Sequence, residues 1–267
     1  MARANRYYIP GHVWHITHRC HKKEFLLKFS RDRENWLSWL YEAKKRFGLR
    51  ILNYTVTSNH IHLLVIDSGQ NVIPKSLQLI AGRTAQEFNQ RKSRKGAFWE
   101  DRDHATAIER GEHLMRCLVY IDLNMVRAGV VKHPSEWLMC GYNEIQNPPD
   151  RYTLIDQQGL VDYCSVGSKD QLIKEHRQWV EEALKKEESR REASWSESIA
   201  VGTRSFIERT RAQLGLTANN GRLKEKGDQY VLREEVNAYS VHFDPKMGAL
   251  SPENSYYWND NAYITTG

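Results

Sequence analysis

The run Leu49-Arg50-Ile51-Leu52-Asn53-Tyr54-Thr55-Val56-Thr57 is followed by Ser58-Asn59 and then by His60-Ile61-His62-Leu63-Leu64-Val65-Ile66. Two apolar, alternating runs flank two turn-forming residues, which is the pattern of two strands joined by a tight turn. Successive side chains of a strand leave opposite faces, so His60 and His62 share one face. Two imidazoles in that relation can point at a single metal ion.

Working outward, residues 8–19 alternate as well, with Val13, His15 and Thr17 set against Trp14, Ile16 and His18 after a turn at Pro10-Gly11. Ser30 is a candidate N-cap for a helix whose Trp36, Leu37, Leu40, Tyr41, Ala43 and Phe47 follow helical spacing up to Gly48. Beyond Asp67-Ser68-Gly69, Pro74 sits in the first turn of a second helix with the stripe Leu77, Ile80, Ala81, Thr84, Ala85 and Phe88. Residues 104–108 read as a short strand and residues 111–129 as a third helix. The first six elements give the order β-α-β-β-α-β, so the fold class expected is α+β, a ferredoxin-like antiparallel sheet with two helices on one face. The added third helix would deliver its side chains to the other face. Tyr120 and Asn124, four apart, share one side of that helix.

The remaining sequence suggests three parts. Residues 1–145 form the core domain, 146–216 a helical extension with a charged helix over 171–191 and a shorter one over 202–216, and 217–267 an extended polar arm carrying Tyr256, Tyr257 and Trp258. A formal charge of +6 favours an anionic partner. Thirteen tyrosines and eight tryptophans add rings that can stack on unpaired bases or fill a core. The four cysteines, Cys20, Cys117, Cys140 and Cys164, show no paired spacing and read as reduced thiols. No run approaches the roughly 20 apolar residues of a membrane helix. A cytoplasmic, nucleoid-associated protein with no membrane partner is expected, either a monomer or a dimer.

Two strand histidines leave an open coordination sphere, as a catalytic ion acting on a phosphodiester requires. The Asn124 amide oxygen is a hard donor suited to Mg²⁺ or Mn²⁺. A tyrosine phenol with an ordinary pKa near 10 needs a neighbouring charge or base to attack phosphorus. Attack by Tyr120 would leave a phosphotyrosine on a DNA 5′ end and a free 3′ hydroxyl. That link is itself a phosphodiester and can be reversed, which suits strand transfer better than hydrolysis.

Three segments carry a family resemblance: residues 8–17 (YIPGHVWHIT), 58–65 (SNHIHLLV) and 120–131 (YIDLNMVRAGVV). Together they resemble the IS200-like single-tyrosine transposases of the HUH superfamily, and among these the REP-associated tyrosine transposases. The stretch from residue 232 to 254 is also similar to longer members. The resemblance implies a ferredoxin-like catalytic core, with His60, His62 and Asn124 as metal ligands and Tyr120 as nucleophile. It implies action on single-stranded DNA at hairpins of palindromic repeats. Members often carry proline where this chain has Met125 and histidine where it has Asp122. Basic candidates for DNA contact are Arg3, Arg6, Arg19, Lys22 and Lys23 near the first strand. Arg83, Arg91, Lys92, Arg94, Lys95 and Arg102 flank the second helix.

Two other readings fit parts of the chain. His15-Ile16-Thr17 and His104-Ala105-Thr106 both fit the H-x-T signature of two-histidine phosphoesterases, but Asp101-Arg102-Asp103 flank the second copy and His60, His62 and Tyr120 are left without roles. A protein derived from a transposase could also bind hairpins without cutting them.

Overall fold

The computed structural model describes residues 8–100, 103–186, 192–215, 221–227 and 229–234. Contacts divide the chain into a unit of residues 1–234 and a second of residues 235–267, which lies wholly outside the described residues. The first unit opens with β1 (Val13–Arg19), α1 (Ser30–Phe47), β2 (Arg50–Val56), β3 (His60–Ile66), α2 (Val72–Arg91) and β4 (His104–Ile108). Then come α3 (Glu112–Asp122), α4 (Asn124–Arg127), α5 (Tyr142–Gln146), α6 (Gln157–Cys164), α7 (Lys169–Lys185) and α8 (Ser194–Glu197). It closes with β5 (Ala200–Gly202), α9 (Arg204–Leu214), β6 (Gly221–Lys226) and β7 (Gln229–Glu234).

The seven strands form one sheet in the order β2-β3-β1-β4-β5-β7-β6. Each of its first four strands is antiparallel to its neighbours within that set, and together they reproduce the expected ferredoxin-like unit. The sheet then continues past the point where the sequence pattern ends. β5 adds in parallel beside β4, and the β6–β7 hairpin adds beside β5, so elements on both sides of residue 145 share one sheet.

Local chemistry explains where these elements stop. β1 begins at Val13 because the chain first turns at Pro10-Gly11, with Gly11 at φ +81°. α1 buries Trp36, Leu40 and Ala43 and ends on Gly48, whose left-handed backbone lets its N–H reach the Lys44 carbonyl at 2.9 Å. In β2 the register with β3 slips between Ile51 and Asn53, so Leu52 forms a bulge. The slip sets Asn53 opposite Leu64 and Thr55 opposite His62, all on the face that carries His15. Asn53 and Thr55 then bond Asp122 and the Ile121 carbonyl, tying α3 to this face. On the opposite face Trp99 stacks on His18 and donates to the Ala81 carbonyl of α2, which packs beside α1. The face that carries His15 and His62 is therefore covered by α3, as expected, and also by the extension. Among the described residues no helix is long and apolar enough to cross a membrane.

Candidate active site

The third helix is not continuous. α3 ends at Asp122, Leu123 takes φ −77° and ψ 5°, and α4 restarts at Asn124. The Leu123 N–H still reaches the Val119 carbonyl at 3.0 Å, so Tyr120 and Asn124 keep the one-turn relation their spacing requires. Tyr120 is buried at 7% exposure and its ring meets the His62 ring edge-on, centroids 5.9 Å apart. The Asn124 amide lies 2.9 Å from His62 Nε2. The His60 and His62 rings stand at 80° with centroids 5.0 Å apart. The fold thus brings Tyr120, His60, His62 and Asn124 together.

Each imidazole is held by its Nδ1 atom. His60 Nδ1 bonds Asn59 Oδ1 at 2.7 Å and Thr57 Oγ at 3.0 Å, both in the tight turn before β3. His62 Nδ1 bonds His15 Nε2 at 2.8 Å, and His15 Nδ1 bonds the Trp195 carbonyl at 2.7 Å. Burial pushes the His15 pKa down to about 4, so this ring is neutral near pH 7.

The donor set fits a hard divalent ion. Two cis ligands of an octahedral ion, each about 2.1 Å from it, stand about 3 Å apart. The 2.9 Å between His62 Nε2 and the Asn124 amide matches that spacing, and a half-turn of the carboxamide exchanges its nitrogen for its oxygen in the same place. No cluster of three or more histidine, cysteine, aspartate or glutamate side chains able to hold an ion occurs among the described residues. A two-histidine site completed by an amide needs none.

Arg127 and His176, which the sequence reading did not single out, act on Tyr120 and on its helix. The Arg127 guanidinium lies over the Tyr120 ring at 4.2 Å and donates to the Tyr120 carbonyl at 2.6 Å. Burial lowers the Arg127 pKa, and Tyr120 is its strongest opposing influence. Asp122 turns away from the histidines and takes hydrogen bonds from Asn53 at 2.9 Å and His176 at 2.7 Å. The Gln146 amide occupies the other nitrogen of His176 at 2.9 Å.

The two H-x-T segments do lie in register, His15 opposite Thr106 and Thr17 opposite His104. Three of their side chains meet the extension: His15 bonds the Trp195 carbonyl, and His104 and Thr106 bond the Ser198 carbonyl at 3.0 and 2.6 Å. They act as clasps for residues 195–198.

Residues 9–123 match the model of a family described as Transposase IS200 like. This stretch is similar to an IS200-like transposase domain. It holds β1 to α3, hence His60, His62 and Tyr120, while Asn124 follows directly. Comparison with curated proteins gives no match. Among solved structures, a REP-associated tyrosine transposase bound to a REP hairpin is 21% identical, with a TM-score of 0.46, over 54% of this chain and 84% of its own. A candidate transposase from Deinococcus radiodurans is 16% identical, with a TM-score of 0.33, over 49% of this chain and 98% of its own.

The basic candidates divide by what they touch. Arg91 pairs with Asp32, Arg94 pairs with Glu24 at 3.5 Å and donates to the Ala97 carbonyl, and Arg83 lies 4.8 Å over the Trp39 ring. Arg19, Lys22, Lys23, Lys92 and Lys95 are exposed. Arg3, Arg6 and Arg102 lie outside the described residues. Two rings join this surface without a signal in the sequence: Phe25 and Phe29 are 65% and 55% exposed, and Lys92 lies 5.4 Å over Phe29. Their loop is fastened beside His60, because Asn59 donates to the Lys23 carbonyl and Leu27 to the Ser58 carbonyl.

Proposed function

We propose that the protein is a metal-dependent enzyme that cuts and rejoins single-stranded DNA at hairpins of palindromic repeats, through a covalent 5′-phosphotyrosine on Tyr120. The observation that supports this most is the convergence of a buried phenol with two imidazoles and an amide whose spacing suits one ion. His60, His62 and Asn124 are the ligands in this reading. Bound there, Mg²⁺ or Mn²⁺ would polarise the scissile phosphate and stabilise the departing 3′ oxygen.

The protein's own groups do the rest. Tyr120 Oη forms a bond to phosphorus as the bond from phosphorus to the 3′ oxygen breaks. The phenolic proton passes to solvent and the 3′ oxygen takes one up as a hydroxyl. Arg127, stacked on the ring, favours the phenolate through its charge. One phosphodiester replaces another, so attack by a 3′ hydroxyl on the phosphotyrosine reverses the step and rejoins a strand. Arg19, Lys22, Lys23 and Lys95 contact phosphates in this reading, and Phe25 and Phe29 stack on unpaired bases.

The test is incubation with end-labelled hairpin DNA and Mn²⁺, resolved on a denaturing gel. The wild type is expected to form a protein-linked fragment that chelation abolishes. Tyr120→Phe should lose the adduct yet bind the hairpin as the wild type does. His60→Ala and His62→Ala should lose cleavage. An adduct that persists in Tyr120→Phe overturns the assignment of the nucleophile. Tight hairpin binding with no adduct at any metal concentration favours the non-cleaving reading instead.

A further inference from the structure

His15 is fully buried, lies on β1 and has no direct route to a substrate, yet both of its ring nitrogens are engaged at short distance. The protons in this chain can be assigned from chemistry alone. A carbonyl oxygen only accepts, so the bond to Trp195 requires the His15 proton on Nδ1. A neutral imidazole carries one N–H, so His15 Nε2 has a lone pair and must accept. The partner at 2.8 Å, His62 Nδ1, is therefore the donor. With its proton on Nδ1, neutral His62 carries its lone pair on Nε2, the atom that faces Asn124 at 2.9 Å.

We propose that His15 is a positioning residue that holds His62 in its Nδ1–H tautomer, and that the Trp195 carbonyl is the anchor that sets the direction of this relay. The assignment deepens the reading of His62 as a metal ligand and rests on it for its functional consequence. Metal-ligating histidines generally use their second ring nitrogen in this way, which fixes the ring and raises its basicity. His60 gets the same treatment locally, from Asn59 in the preceding turn. His62 lies two residues deeper in the sheet and has no turn beside it, so its orienting partner comes from the neighbouring strand. The anchor comes from further still: Trp195 lies 180 residues beyond His15, in the short helix α8 and outside the matched stretch 9–123. His104 and Thr106 clasp the same segment at Ser198. The extension is thereby part of the apparatus that orients a ligand within the matched stretch.

The direct test needs no variant and no metal. Long-range ¹H–¹⁵N correlation of the imidazole rings in the metal-free protein at neutral pH distinguishes the two tautomers. The expected result is a protonated Nδ1 and a bare Nε2 at His62, with the same pattern at His15. A bare Nδ1 at His62 overturns the proposal whatever the protein does with DNA. Two substitutions then test the consequence, read as Mn²⁺ affinity by calorimetry and not as turnover. His15→Gln carries its amide oxygen one bond further out, near the place of Nε2, and keeps an acceptor for His62. His15→Asn ends near the place of Nδ1 and keeps only the contact with Trp195. Asn is expected to weaken Mn²⁺ binding by about 10- to 100-fold, and Gln to restore most of it, with thermal unfolding of the two variants alike. Equal affinities for Asn and wild type overturn the proposal. If Mn²⁺ binding by the wild type is unaffected by His62→Ala, the ligand reading fails instead, and the tautomer measurement still decides the relay.

Discussion

His176→Leu removes one half of a pair whose other half cannot reach water. His176 and Asp122 meet at 2.7 Å with both side chains fully buried, joining α7 to the last residue of α3. Leucine is close in size to histidine but cannot donate, so one Asp122 oxygen loses its partner while the other keeps Asn53 at 2.9 Å. Stranding a buried carboxylate in this way costs about 3–5 kcal/mol. Burying a leucine side chain in place of the imidazole returns roughly 1–2 kcal/mol. The Gln146 amide loses His176 but keeps the Ile173 carbonyl at 3.2 Å, so its share is small. The net expectation is a loss of about 2–3 kcal/mol, a large part of the roughly 5–15 kcal/mol by which domains are stable. The assay is urea unfolding of the metal-free protein, followed by tryptophan fluorescence. Replacing both partners, Asp122→Leu with His176→Leu, removes the stranded charge and leaves mainly the Asn53 donor short of an acceptor, about 1–2 kcal/mol. The double variant should therefore be more stable than His176→Leu alone. A loss below about 1 kcal/mol for the single variant, or strict additivity in the double, refutes the reasoning. Because Asp122 lies two residues after Tyr120, the single variant should also slow adduct formation in proportion to the slack it gives α3.

Burial pushes Cys20, Cys140 and Cys164 up to about 12 from an ordinary 9.0, and raises Cys117 well above 9.0. A raised native value means stability that is intact below pH 9 and is lost as pH climbs toward 12, because only the unfolded chain can then ionise. The native protein should resist thiol reagents at mildly alkaline pH and expose all four thiols only in denaturant; rapid labelling of the folded protein would contradict this burial. Phe25→Ala with Phe29→Ala should weaken single-stranded DNA binding by about 1–3 kcal/mol per stacked base without changing its salt dependence. Lys22→Ala with Lys23→Ala should instead flatten the salt dependence by about 0.7 per phosphate contact. Fluorescence anisotropy over a salt series separates the two effects, and unchanged affinity in the phenylalanine variant removes those rings from the DNA path.

The alternation in residues 49–66 was enough to place His60 and His62 on one face of an inner strand, since the period of two is a property of the backbone itself. Helical spacing likewise tied Tyr120 to Asn124, and that relation survives the break at Leu123 because it depends on one turn of backbone only. The element order sufficed for the four-stranded ferredoxin-like unit, because β-α-β-β-α-β is a recurring arrangement with a characteristic strand order. Strands β5 to β7 left little trace: the three-residue β5 is too short to show a period, and Arg222, Lys224, Glu225 and Lys226 give β6 no apolar face to read.

What only the tertiary structure decided are the relations between distant residues. His176 behind Asp122 and Trp195 behind His15 are separated along the chain by 54 and 180 residues. No local pattern encodes such meetings, because a hydrogen bond between buried groups is specified by where two surfaces pack. The sequence alone determined which reactive side chains the chain carries and on which faces they lie. Packing of the extension onto the sheet decided how those side chains are held, because burial leaves each polar atom only the partner that the fold brings to it.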